Sequence, residues 1–181
     1  MNQDAFWKIV ETSHARSGGD MERKCEILHD LLSKLSQQEL DSFTDHFDQA
    51  DAYAYSWPLW AAAYILNGGC SDDSFSDFRA TLISMGQTTF ENALRDPETL
   101  ATVRFHNGNP CYEGFQYVPS MVAKSVFGRP PVHRIPLPDE PSGDPWEEEA
   151  VDELFPLLAT SVIAYRKAKT PDTKQPWWKI F

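Results

Sequence analysis

Basic residues are scarce in this chain. Sixteen Lys and Arg stand against 27 Asp and Glu, a formal charge of −11 over 181 residues. Nucleic-acid phosphates and anionic lipid both need clustered cations, so neither is an expected partner. Long apolar runs are missing too. The longest, Trp57 to Leu66, has ten residues and includes Pro58, about half of the roughly 20 that a membrane span requires. The opening MNQDAFWK has no basic stretch followed by an apolar run, so no secretory signal is expected. Cysteines number three, Cys25, Cys70 and Cys111, without CxxC spacing. An odd, scattered set points to reduced thiols rather than a disulfide framework or a zinc site. A soluble cytoplasmic protein is the expectation. No internal repeat is found, and no segment alternates apolar and polar residues long enough to mark a strand.

What is present fits a packed globule: hydrophobic residues make up 41% and aromatics 13%. The apolar spacing reads as helices in quick succession. Asp4 is placed to cap a first helix with Phe6, Trp7, Ile9 and Val10, broken by Gly18 and Gly19. Asp20 caps a second, in which Met21, Cys25, Leu28, Leu32 and Leu35 form a seam. Ser36 and Glu39 have capping-box spacing. The helix they start carries Leu40, Phe43, Phe47 and Ala50 on one face, with Asp41, Asp45 and Asp48 among its polar positions. Trp57–Leu66 is apolar nearly all round, as a central helix should be. A helix from Ser71–Ser74 to Met85 buries Phe75, Phe78, Leu82 and Met85. A short one with Phe90, Ala93 and Leu94 stops at Asp96-Pro97.

Beyond Leu100 the pattern loosens. Asn107 to Pro110 make a loop, and Val118–Phe127 forms a helix between Pro119 and Gly128. Six of the thirteen prolines lie between Gly128 and Pro145, which predicts a stiff, extended connector. Helical spacing resumes from Glu147 to Tyr165 with Val151, Leu154, Leu157 and Leu158, kinked or split at Pro156. The fold class is therefore all-α, an irregular helical bundle with a Pro-rich connector and a C-terminal helical extension. Residues 1–128 form the helical domain, 129–145 the connector, and 146–181 a C-terminal helix and aromatic tail (Trp177, Trp178, Ile180, Phe181) packing on that domain.

The densest polar cluster runs from Asn67 to Arg79, joining two of these helices through Gly68-Gly69-Cys70-Ser71-Asp72-Asp73. One reading is structural: the glycines end a helix at positive φ, Ser71 or an aspartate caps the next, and acids suit its first turn. A second makes it a pocket for a small polar ligand, lined by Trp60, Tyr64, Ser71, Asp72, Asp73 and Arg79, with an aromatic wall and converging charges. Asp72, Asp73 and Asp77 are weak candidates for a divalent cation held through oxygen. No cofactor is called for. Cys70, beside a helix start, could hold a stabilised thiolate. His14, His29, His46, His106 and His133 lack the mutual spacing of zinc ligands and read as surface or satisfied structural residues.

The run LWAAAYILNGGCSDDSFSDFRATLISMGQTTFENALRDPETLA, with FWKIV near the start, resembles a bacterial domain of unknown function, family number 4240. The resemblance spans about Phe6 to Ala101, with weaker pieces from Tyr112 to Gly128 and from Trp146 to Leu158. It implies a helical, bacterial, intracellular domain and no particular reaction. Its motif falls on Trp60, Gly69, Ser71, Asp72, Asp73, Phe75, Phe78 and Arg79.

A last feature is the acidic run Asp139, Glu140, Asp144, Glu147, Glu148, Glu149, Asp152 and Glu153, which contains no Lys or Arg. It is either a solvated connector or a docking surface for a basic protein. The function expected first is a non-catalytic binding or regulatory module, of which an immunity-type protein against a basic toxin is one version. The alternative is a small-ligand receptor or enzyme using the Gly69–Arg79 junction, with or without a divalent cation. The sequence leaves the reaction, if any, and the oligomeric state open.

Overall fold

The computed structural model describes residues 1–169. The expected aromatic tail, Trp177 to Phe181, lies outside the described residues. The fold is all-α. Helices α1 (Gln3–Ser17), α2 (Met21–Leu32), α3 (Gln37–Ala54), α4 (Trp57–Asn67), α5 (Asp72–Ile83) and α6 (Gln87–Arg95) follow one another through short turns. A 3-10 helix, Pro97–Thr102, and two further single turns lead to α7 (Val118–Phe127). After the connector come α8 (Val151–Leu154) and α9 (Pro156–Lys169).

Local chemistry accounts for most of these boundaries. Asp20 accepts from the Arg23 amide at the start of α2, and Ser36 with Glu39 forms the full capping box of α3. The cap of α1 is Asn2, which accepts from the Ala5 amide; Asp4 sits inside the first turn and contributes only to the helix dipole. Helix α2 stops at Leu32, so Leu35 leaves the seam in the turn before Ser36. Helix α5 stops at Ile83 and leaves Met85 half-buried in the turn before Gly86. Pro156 splits the last segment as expected, since its ring removes an amide and clashes with the preceding turn.

The core is built on Phe6, Phe43, Phe75, Phe78, Phe115, Leu28, Leu40, Leu59 and Leu82, all nearly inaccessible. Each such side chain contributes about 1.5–3 kcal/mol by leaving water. In α4 the residues Leu59, Ala61, Ala62, Ala63 and Ile65 are buried, and the helix lies against α5, α8, α9 and the Pro97–Thr102 turn. The run of three alanines lets neighbouring helices approach this element closely.

The final segment is held from outside itself. The Glu98 carboxylate accepts from the Leu157 and Leu158 amides at 3.1 and 2.8 Å, so a residue of the 3-10 helix caps α9. Leu158 and Val162 are buried beneath it, whereas Leu154 and Leu157 face solvent.

The proline-rich connector is extended, as its composition predicts, but it is strapped down along its length. Arg129 donates to Asp41 at 2.8 Å, Arg134 to Asp45 at 2.6 Å, and the His133 ring meets Asp48 at 2.7 Å. Further on, the Ser142 amide donates to Tyr55 O, and Ser142 O accepts from the Trp57 amide at 2.8 Å. Trp146 Nε1 then donates to Trp57 O at 3.0 Å. The acidic stripe of α3, read from the sequence as ordinary polar positions, is thus the track on which the connector's cations lie. Asp41 is buried and held below the usual carboxylate range chiefly by the Arg129 hydrogen bond.

Candidate functional site

The α4–α5 junction is held by its own polar groups. Gly68 ends α4 at φ 75°, a left-handed conformation that favours glycine, and a Cβ there would lie 2.7 Å from the Arg166 guanidinium, which would have to shift. The Asn67 amide donates to Gly69 O at 2.8 Å. Ser71 caps α5 by accepting from the Ser74 amide at 3.3 Å. Asp72 and Asp73 occupy the first turn, exposed to solvent and favourable to the helix dipole. Trp60 Nε1 donates to Cys70 O at 3.0 Å, and its ring is stacked between Trp57 and Phe75 with centroids 5.4 and 4.7 Å away.

Arg79 points elsewhere. It is 4% exposed and makes a two-pronged ion pair with Asp51 of α3, Nε–Oδ1 2.8 Å and Nη2–Oδ2 3.1 Å. Its guanidinium lies against the adjacent Tyr55 and Phe75 rings, 4.9 and 4.8 Å from their centroids, which are themselves 6.0 Å apart. Tyr64 donates its hydroxyl to Glu148 and sets its ring edge-on to Trp146. Asp77 accepts from Gln116 Nε2 at 2.5 Å, and burial raises its carboxyl.

The six ligand candidates therefore divide. Trp60 and Ser71 stabilise the junction, Tyr64 holds the acidic segment, Arg79 clamps α5 to α3, and Asp72 and Asp73 face water. Among the described residues, no group of three His, Cys, Asp or Glu converges so as to hold a metal ion, Asp72, Asp73 and Asp77 included. Ser71→Ala should cost about 1 kcal/mol of unfolding free energy through the lost cap. Asp72→Asn and Asp73→Asn should each cost only about 0.3–1 kcal/mol, and urea unfolding of the three variants checks the order.

A groove of about 410 Å³ opens between α2, the Tyr112–Gly114 segment and the start of α7. Cys25, Tyr112, Val118 and Met121 give it apolar walls, with Glu26, His29 and Asp30 along the rim. Burial pushes the Cys25 thiol up to about 11, so it stays protonated at neutral pH. Helical periodicity marked Cys25 as a seam residue, but nothing in the sequence signals that Tyr112 would come to lie opposite it.

The acidic run differs from the acids of α3. Asp139, Glu140, Asp144, Glu147, Glu148, Glu149, Asp152 and Glu153 are all exposed, and among the described residues none is in an ion pair. Exposed Leu137, Leu154 and Leu157 flank the run in sequence. Among the described residues, no helix is long and apolar enough to cross a membrane.

Fold and junction together define an all-α protein whose motif residues are chiefly engaged in joining α4, α5 and α3. The chain belongs to a protein family of unknown function, DUF4240, whose profile matches residues 1–127. The match takes in the junction and α7 and stops before the acidic run, so the Trp146–Leu158 piece lies beyond it. No curated protein matches the chain. No solved structure matches it either.

Proposed function

We propose that this is a bacterial cytoplasmic binding or regulatory module without chemistry of its own, which docks a basic protein partner on its acidic 139–153 face. One observation carries the reading. The connector's cations Arg129 and Arg134 neutralise Asp41 and Asp45 internally, while eight carboxylates beyond them are left exposed and uncompensated. Such a surface raises the association rate with a cationic partner and fixes its orientation. Exposed Leu137, Leu154 and Leu157 supply apolar area that charge alone lacks. An immunity-type role against a basic toxin is the specific form that this charge pattern fits. The test is reversal of Asp139, Glu140, Glu149 and Glu153 to lysine, none of which makes a side-chain hydrogen bond among the described residues. Binding of a lysine-rich protein should weaken by about tenfold or more, some 1.4 kcal/mol. At about 1 M salt, where the Debye length is about 3 Å, the difference from the unaltered chain should vanish.

The alternative, a small-ligand receptor or enzyme at the Gly69–Arg79 junction, is supported by the exposed carboxylates of Asp72 and Asp73. Intact native mass of the gently purified protein separates the two. Extra mass that disappears in Asp72→Ala or Asp73→Ala favours the ligand reading, and a bare chain favours the docking one.

A further inference from the structure

The proline-rich connector is pinned at two places and lightly held between them. At the near end Pro131 is buried, Arg129 donates to buried Asp41 at 2.8 Å, and the Val132 amide donates to Asp41 Oδ1 at 3.3 Å. At the far end Pro141 is buried, and Ser142 shares backbone hydrogen bonds with Tyr55 and Trp57 at 3.1 and 2.8 Å. From His133 to Glu140 every residue is exposed, Ile135 and Leu137 included. Among the described residues, no backbone group of that stretch hydrogen-bonds to the rest of the fold. Pro136 and Pro138 have no amide to offer.

Two side-chain rungs fasten the stretch to α3. Arg134 Nη1 donates to Asp45 Oδ2 at 2.6 Å, and the His133 ring meets Asp48 Oδ2 at 2.7 Å. Neither rung is strong. The Arg134 and His133 side chains are 53% and 57% exposed, where an ion pair contributes little and salt screens it. Arg134 pairs with one Asp45 oxygen, and the other, Oδ1, is buried with no hydrogen-bond partner among the described residues. The two-pronged geometry that makes such pairs strong is therefore missing. Burial raises the Asp48 carboxyl in spite of the His133 contact, a cost that the closed position carries.

We propose that residues 133–140 are a releasable strap: outside cations compete for Asp45 and Asp48, the two rungs open, and the stretch lifts off α3 between its pins. Asp45 and Asp48 then face solvent, while the pins and the helical core stay in place. Pro136 and Pro138 keep the lifted stretch extended, so it moves as a unit. Opening of the strap does not depend on what the 139–153 face binds.

Trypsin reads the open form, because it needs the Arg134 side chain free and the chain around it drawn into the protease cleft. Where opening is fast relative to cutting, the cutting rate follows the open population. The measurement is the initial rate of cleavage after Arg134 in the full chain, divided by the rate for a free peptide of residues 129–140 in the same buffer. Asp45→Ala combined with Asp48→Ala removes both rungs and leaves the cut site intact. At low salt the double variant should be cut about threefold to tenfold faster than the unaltered chain. Raising salt to about 1 M, where the Debye length is about 3 Å, should speed the unaltered chain towards the variant. Equal relative rates at low salt would overturn the proposal. So would a loss of far-UV helical signal in the unaltered chain at the salt that speeds the cut, since opening would then be global. If the double variant does not fold, the unaltered chain decides alone, and a relative rate indifferent to salt overturns the proposal.

Discussion

Arg79→Met should lower the unfolding free energy by about 3–4 kcal/mol, the largest loss expected from a single substitution near the junction. The guanidinium is 4% exposed, paired through two nitrogens with Asp51, and in contact with the Tyr55 and Phe75 rings. Removing one member of a buried ion pair strands the other, and that penalty is about 3–5 kcal/mol. The lower part of the range applies because the Asp51 side chain is 22% exposed and partly regains water. Arg79→Lys should restore less than half of the loss, since an ammonium cannot reproduce the planar fork or its contact with the two aromatic rings. Urea unfolding of both variants is the measurement. A loss under about 1 kcal/mol for Arg79→Met would mean that α5 is held to α3 by apolar packing alone.

Lys24→Met should do the opposite and stabilise the protein by about 3 kcal/mol at pH 7, since every tenfold loss of proton affinity on folding corresponds to about 1.36 kcal/mol. Lys24 is 1% exposed, and its Nζ donates to Ser84 Oγ at 3.0 Å with, among the described residues, no carboxylate in an ion pair with it. Burial lowers its pKa from 10.5 to about 8. The sign follows from proton counting. Between about pH 8 and 10.5 the unfolded chain holds a proton on Lys24 that the folded chain has released, so unfolding takes up a proton and this residue's contribution to stability rises with pH. Below about pH 8 both states are protonated and the full penalty of the buried charge remains. The stability gap between Lys24→Met and the unaltered chain should therefore be widest near neutrality and shrink as pH climbs towards 10.5. A gap that stays constant from about pH 7 to 10 would show that Lys24 does not titrate inside the fold.

Residues near one another in sequence made most of the fold legible. The capping box at Ser36 and Glu39, the Asp20 and Ser71 caps and the Gly128 stop depend on groups three or four residues apart, so their geometry follows from local spacing. The break at Pro156 is equally local. Hidden features all join distant segments. Asp51 finds Arg79, Asp41 finds Arg129, and Glu98 caps α9. Each pair depends on how helices pack, which residue spacing does not encode. Lys24 was hidden for another reason: a lysine within an apolar seam normally snorkels to solvent, and here Ser84 receives its ammonium inside the core.

The candidate site was legible as a location more than as a role. Sequence pattern singles out Trp60, Gly69, Ser71, Asp72, Asp73 and Arg79, and the structure gives most of them a joining task. Trp60 binds the Cys70 carbonyl, Ser71 caps α5, and Arg79 reaches α3. Three aspartates within six residues look like cation ligands on paper. In the folded chain Asp72 and Asp73 point to water while Asp77 is engaged by Gln116. The acidic run, by contrast, takes part in no ion pair among the described residues, which is compatible with both a solvated connector and a docking surface.

The central claim, that the 139–153 face is the docking surface, is tested most directly by comparing two sets of charge reversals. One set changes Asp139, Glu140, Glu149 and Glu153 to lysine. The other makes the same net change at Asp4, Glu11, Asp30 and Glu91, exposed acids elsewhere on the fold. The measurement is the dissociation constant for one lysine-rich basic protein at low salt. The account predicts a weakening of about tenfold or more for the first set and less than about threefold for the second. Equal weakening by both sets would contradict it, since the protein would then attract cations through net charge alone.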